Sequence, residues 1–109
     1  MNAKRAAKLI KIANYYGPEH QLVKLMEELG EASSAASEAL QLLAFSKDGG
    51  KESGLEERLE HLASELADVA NVTEQILTLF ALEVEFKVAR QRGVDKTIAR
   101  IRKELGDEA

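Results

Sequence analysis

Four acidic residues stand in two pairs with the same spacing. Glu28 and Glu31 form the first pair, and Glu65 and Asp68 form the second, so the members of each pair are three residues apart. On a helix, that spacing places both side chains on one face. Clustered carboxylates repel one another unless a cation neutralises them, and Mg²⁺ takes oxygen ligands of this kind. The pairs are therefore candidate metal ligands, and the competing interpretation is ordinary solvated charge on a helix surface.

The elements that must position these residues are helices. Apolar residues recur at helical spacing, and we see no strand pattern. The predicted elements are a helix over residues 2–16, a helix over 18–45, a loop over 46–54, a third helix from 55 to 92 at most, and a short last helix. Ser53 and Glu56 match a capping box at the start of the third helix. We expect Gly93 to stop that helix and Asp95 to cap the last one.

The second and third helices should form an antiparallel hairpin that carries both acidic pairs. Their apolar stripes are centred near Leu25, Leu29 and Ala36, and near Leu62, Leu66 and Val69. At about 100° per residue, each acidic pair lies to one side of its stripe, in the same rotational sense. Helices packed through these stripes would bring both pairs to the same face, at axial levels that agree to about one turn. The sequence thus predicts four carboxylates gathered on one side of the hairpin.

Composition limits the class of protein. The 109 residues fit one all-α domain spanning 1–109, and the net charge of −4 argues against binding a nucleic-acid polymer through bulk charge. The absence of cysteine excludes disulfide scaffolds, cysteine zinc sites and thiol nucleophiles. No apolar run approaches the roughly 18 residues that a membrane span needs, and the basic N-terminal segment has no long apolar stretch. We expect a cytoplasmic protein without membrane partners. His20 and His61 lack a Glu three residues earlier, so the E-x-x-H motif of di-iron bundles is absent.

Two segments resemble a known family. QLVKLMEELGEA followed by HLASELADVANV is similar to the signature helices of the MazG-like family, in the all-α NTP pyrophosphatase superfamily. The family motif, E-x-x-E followed one loop later by E-x-x-D, corresponds here to residues 28–31 and 65–68. The resemblance covers residues 15–80. The 33 residues between Glu31 and Glu65 make a longer gap than compact members have, and they include the glycine-rich loop.

The resemblance implies a four-helix bundle-like MazG-type fold with a long central antiparallel hairpin. It implies Mg²⁺-dependent hydrolysis between the α and β phosphates of a nucleotide, with Mn²⁺ able to substitute. The products would be a nucleoside monophosphate and pyrophosphate. The residues that match its metal ligands are Glu28, Glu31, Glu65 and Asp68. Glu27 matches the preceding acid, which acts beside the ligands or in water activation, and Glu28 and Glu31 lead as acceptors of the water proton.

Three further residues are candidates for contacting substrate. Asn71 lies one turn beyond Asp68 on the same face of the third helix. Lys87 and Arg90 fall in a region from which relatives place basic residues near the phosphates. The competing interpretation of the two cations is a solvated helix end. Tyr15 and Tyr16 could stack on a base, or simply complete the edge of the core.

Three functions remain open from sequence alone. The first is a nucleotide pyrophosphohydrolase that clears unwanted nucleotides from the pool. The second is an enzyme like phosphoribosyl-ATP pyrophosphatase, and the third is a helical interaction module without turnover. The long helices and their wide apolar stripes, which include Val23, Leu42 and Val72 outside the main stripes, also predict a homodimer or homotetramer. The resemblance agrees with that prediction.

Overall fold

The computed structural model describes residues 3–45 and 54–106. Within these ranges the chain forms four helices and no strand: α1 (Ala3–Tyr16), α2 (Pro18–Phe45), α3 (Leu55–Phe80) and α4 (Glu83–Glu104). The all-α prediction is confirmed, and α2 has the predicted bounds. None of the described helices has the length and apolarity that crossing a bilayer requires.

Glycines mark two of the helix boundaries. Gly17 has φ 85° and separates α1 from α2; its N–H donates to the Ala13 carbonyl at 2.9 Å. Gly54 has φ 84° and precedes α3, and no side chain of the described residues caps the start of that helix. Both backbones are left-handed, a conformation that costs glycine little. Ser53, which the capping-box prediction requires, lies outside the described residues, as does the rest of the predicted loop up to it.

The boundary between α3 and α4 differs from the prediction. The helix breaks at Ala81, which has φ 54°, and the Leu82 N–H donates to the Leu77 carbonyl at 2.9 Å. This is the hydrogen bonding of a Schellman motif, built with alanine where glycine is usual. The prediction that Gly93 ends a helix was wrong, and so was the short last helix capped by Asp95, because α4 runs through both. One glycine costs about 1 kcal/mol in a helix, which a long helix tolerates.

The hairpin of α2 and α3 packs through a narrower face than the sequence suggests. The buried residues of α2 are Gln21, Glu28, Ala32, Ala35 and Ala39. They recur at intervals of three, four and seven residues, as in a helical-bundle seam, and the alanines allow close approach of the two helices. On α3 the buried residues are Val72, Gln75 and Ile76. This seam is rotated by about one residue from the leucine stripe predicted for α2.

The predicted leucine stripe therefore lies outside the hairpin seam. Its exposed members are Leu22, Met26, Leu29, Leu40 and Leu43 on α2 and Leu59, Leu66 and Phe80 on α3. We call these residues the outer apolar face. Met26 is 69 % exposed and Leu40 is 60 % exposed. These large apolar side chains of α2 are therefore not buried within the single chain. The predicted stripes were wrong for most of their leucines, although their members Ala32 and Ile76 are buried and the pairing of α2 with α3 was right.

The last helix stands apart from the rest. Among the described elements α4 contacts only α3, and it buries no residue. The radius of gyration is 18.1 Å, compared with about 13 Å for a compact chain of this length. Apolar side chains such as Val94, Ile98 and Ile101 are consequently exposed on α4.

Candidate metal centre

Three of the four predicted carboxylates converge between α2 and α3. Glu28 and Glu31 come from α2 and Glu65 from α3, and one oxygen of each lies within 4.8 Å of the others. The fourth, Asp68, is exposed and lies outside this group. We call Glu28, Glu31 and Glu65 the carboxylate cluster. The predicted convergence is therefore found for three members, but Glu28 lies in the buried seam rather than beside it.

The two inner carboxylates of the carboxylate cluster are deeply placed and incompletely hydrogen-bonded. The Glu28 side chain is 7 % exposed and the Glu65 side chain is 15 % exposed. The Oε2 atom of each is buried and has no hydrogen-bond partner among the described residues. A buried polar atom without a partner costs about 1–3 kcal/mol, and more when it is charged. A cation bound by these carboxylates would reduce that cost, so the donor set fits a hard metal ion.

Two basic side chains flank the carboxylate cluster. Lys24 Nζ lies 3.0 Å from Glu28 Oε1, one turn earlier on α2. His61 Nε2 lies 3.7 Å from Glu65 Oε1, one turn earlier on α3. Each flanking group contacts one oxygen of its carboxylate, and the other oxygen of each carboxylate is the unpartnered one. Lys24 therefore offsets part of the acidic charge at Glu28, and one oxygen each of Glu28 and Glu65 stays without a partner among the described residues.

Glu31 is the member of the carboxylate cluster whose pKa is raised by its acidic neighbours. Repulsion from Glu28 raises the pKa of Glu31 above its ordinary value of 4.5, and a hydrogen bond and charge repulsion involving Glu65 raise it further. The Glu31 residue is exposed, so water reaches it directly. A carboxylate with a raised pKa holds a proton more readily, which also suits a group that accepts one from water.

We expect Glu31→Gln to stabilise the metal-free protein at neutral pH. Because the pKa of Glu31 is raised in the folded state, the folded protein binds more protons than the unfolded chain at pH values between 4.5 and the raised pKa. The free energy of unfolding therefore falls as the pH rises through that range. The melting temperature of Glu31→Gln in EDTA should exceed that of the wild type at pH 7, and the difference should vanish at pH 4 and below. Thermal denaturation across this range measures it, with Glu60→Gln as a control on α3. A difference that grows as pH falls would contradict the repulsion.

The remaining predicted residues lie outside the carboxylate cluster, and the two basic residues of α4 are not brought to it. Glu27 is exposed, and one of its oxygens lies 3.9 Å from Lys24 Nζ. The Asn71 Oδ1 atom accepts a hydrogen bond of 3.2 Å from Arg5 of α1. Lys87 and Arg90 line a groove formed by α4 residues alone, with Arg90 over the ring of Phe86 at 5.8 Å.

A cavity of about 380 Å³ opens beside Lys24, between α1, α2 and α3. Its walls are Ile12, Tyr16, His20, Gln21, Lys24, Glu27, Val72 and Gln75. The rings of Tyr16 and His20 stack with centroids 4.5 Å apart. Gln21 is 2 % exposed and donates a hydrogen bond to Gln75, which is 7 % exposed. We call this the carboxamide cavity, because two buried amide groups meet at its wall.

Sequence reasoning missed the carboxamide cavity and Lys24. One signal was available, since Gln21 lies seven residues before Glu28 and therefore on the same face of α2. Lys24 likewise lies four residues before Glu28, the spacing of a helical ion pair. The contribution of α1 to the cavity had no such signal.

The chain matches no protein-family model, no curated protein and no solved structure at a significant level.

Proposed function

We propose that this protein is a Mg²⁺-dependent nucleotide pyrophosphohydrolase with a MazG-type fold, acting in cytoplasmic nucleotide-pool clearance. One water would cleave the bond between the α and β phosphates, giving a nucleoside monophosphate and pyrophosphate. The observation that carries the proposal is the carboxylate cluster with its two buried, unpartnered oxygens. The resemblance of both acidic segments to the MazG-like signature supports the same reaction.

The proposed role of each acidic residue follows from how deeply its side chain is buried. Glu28 and Glu65 are the inner holders of the cation, and Glu31 completes the set from the solvent side. When bound, Mg²⁺ would neutralise phosphate charge and lower the pKa of a bound water. Asp68 follows Glu65 by one turn and can join from the exposed side. Glu31 and Glu28 remain the candidates for accepting the proton of the attacking water, and Glu31 is the more accessible of the two.

The carboxamide cavity supports a nucleoside as the group attached to the phosphates. Gln21 lies seven residues before Glu28, which is about 10 Å along the axis of α2. A sugar can bridge that distance between a base in the cavity and phosphates at the carboxylate cluster. The stacked rings of Tyr16 and His20 offer a flat surface, and the cavity wall also contains the mutually hydrogen-bonded amides of Gln21 and Gln75.

The outer apolar face supports a homo-oligomer, at least a dimer. Its leucines run along two helices of roughly 40 Å, and isolated chains rarely leave such a surface in water. A second copy is the occupant that fits, since α2 and α3 are antiparallel and a twofold-related hairpin would complete a four-helix bundle. The sequence prediction rested on the length of the helices and the width of their apolar stripes. Val72, one of the residues that widened the stripes, is buried inside the chain, so the outer apolar face is now the main support for an oligomer.

A pyrophosphate-release screen tests the reaction. We expect release from at least one canonical or modified nucleotide in Mg²⁺, loss of release in EDTA, and recovery with added Mg²⁺ or Mn²⁺. Triphosphates and phosphoribosyl-ATP belong in the same screen, and diphosphates are assayed by orthophosphate release, because cleavage between their α and β phosphates yields no pyrophosphate. Together these substrates separate the classes left open by the sequence. Full turnover in chelator would contradict the role of the metal, and a screen without any hydrolysis would leave the non-catalytic helical module as the better account.

A further inference from the structure

Lys24 is the cation that the protein itself supplies to the carboxylate cluster. Its Nζ atom lies 3.0 Å from Oε1 of Glu28, whose side chain is 7 % exposed. That hydrogen bond and the charge of Glu28 raise the pKa of Lys24, so the ammonium group stays charged. The second oxygen of Glu28 has no partner among the described residues, so the lysine offsets the carboxylate from one side only.

The same lysine also lines the carboxamide cavity. Its side chain is 44 % exposed, so the ammonium group lies at the boundary between the buried carboxylate and open space. A lysine side chain is long and flexible, and its ammonium group can turn about a fixed stem without unfolding the helix. Glu27, the other charged residue of that wall, lies 3.9 Å away and would not hold the lysine as closely.

A divalent cation bound in the carboxylate cluster would weaken the attraction between Lys24 and Glu28. The cation would take over the charge of Glu28 and repel the ammonium group, because like charges a few ångströms apart are unfavourable. Lys24 lines the carboxamide cavity, so a phosphate chain that runs from a base in that cavity to the carboxylate cluster would pass close to its ammonium group. A phosphate oxygen is the strongest acceptor that this space would then offer.

We propose that Lys24 is a positioning residue that exchanges Glu28 for a phosphate oxygen of the ligand when a divalent cation binds the carboxylate cluster. This inference rests on the proposed function for the identity of the ligand. In the metal-free protein Lys24 offsets the charge of Glu28 alone, and in the metal-loaded protein it is available to a phosphate oxygen. The exchange predicts effects of opposite sign on two binding reactions, which a purely structural lysine would not produce.

The test measures binding without turnover. In Lys24→Met, the affinity for Mn²⁺ alone should rise about tenfold, because a competing positive charge is gone. The affinity for inorganic pyrophosphate in saturating Mn²⁺ should fall about tenfold, because a charged contact is lost. Calorimetric titration gives both constants. Lys8→Met removes the same charge from α1 as a control, and Lys24→Arg should keep pyrophosphate binding near the wild-type value.

Three results of these titrations would overturn the proposed exchange at Lys24. Weaker Mn²⁺ binding in Lys24→Met, or pyrophosphate affinity equal to that of the wild type, overturns the exchange. Wild-type protein that binds Mn²⁺ but no pyrophosphate also overturns it. If Lys24→Met fails to fold, Lys24→Gln, which keeps a donor to Glu28 without the charge, gives the same comparison. Failure of the proposed function appears separately, as an empty hydrolysis screen, because these titrations need no catalysis.

Discussion

Replacing Glu28 or Glu65 by glutamine is expected to reduce turnover by at least about a hundredfold, the scale of losing one catalytic electrostatic group. Both side chains are largely buried, and one oxygen of each has no hydrogen-bond partner among the described residues. A neutral amide keeps the size of the side chain but loses the charge that a hard cation requires. Glu31→Gln and Asp68→Asn carry the same expectation, and the Asp68 result shows whether this exposed residue joins the bound cation.

The fold should survive these substitutions. Without metal, the amide relieves repulsion inside the carboxylate cluster, so the melting temperature of Glu28→Gln in EDTA should equal or exceed that of the wild type. Saturating Mn²⁺ should stabilise the wild type, by about 2.7 kcal/mol at one hundred times its dissociation constant, and should leave the variant nearly unchanged. Circular dichroism and thermal melts with and without metal measure both effects.

The control for this series is Glu60→Gln, which makes the same change on an exposed part of α3. Its turnover and its response to Mn²⁺ should match those of the wild type. Near wild-type rates in both Glu28→Gln and Glu65→Gln would place the reaction elsewhere on the protein. An unchanged metal response in those two variants would remove the carboxylate cluster as the cation site.

Sedimentation equilibrium at micromolar concentration is expected to give two or four times the chain mass of 12.0 kDa. The reason is the outer apolar face, on which Leu43 is 55 % exposed and Leu59 is 44 % exposed. Burying such side chains contributes about 25 cal/mol per Å², so a shared face along two long helices is strongly stabilising. The double variant Leu43→Glu and Leu59→Glu should shift the equilibrium to monomer, since two charges would enter a desolvated interface.

A second variant decides which surface makes the contact. Ile101→Glu places the same charge on α4, where the side chain is 46 % exposed in the single chain. If the hairpin is the interface, this variant stays oligomeric. Dissociation by Ile101→Glu and not by the hairpin double variant would move the interface to α4. A wild-type protein that sediments as one species of 12.0 kDa would refute the oligomer.

Local features of the fold could be predicted because they depend on nearby residues. The bounds of α2 follow from Gly17-Pro18 at one end and the glycine-rich segment after Phe45 at the other. The absence of strands from residues 3–45 and 54–106 follows from helical spacing and composition. The end of α3 at Ala81 could not be predicted, because alanine is a good helix former and only the Schellman hydrogen bonds hold it in the left-handed conformation.

By itself, the sequence determined that this protein is helical and that acidic residues recur in pairs on single helix faces. Only the tertiary structure decided which face of α2 meets α3. A leucine stripe and an alanine seam lie about one residue apart in rotation, and periodicity cannot rank them because burial depends on the partner and not on the stripe. With Ala32 and Ala35 in the seam, the two helices can lie close together. Glu28 and Glu65 are then largely covered, and Asp68 lies outside the carboxylate cluster. The same choice exposed the leucines and opened the carboxamide cavity, because α1 and α3 had to meet α2 on the side of Gln21.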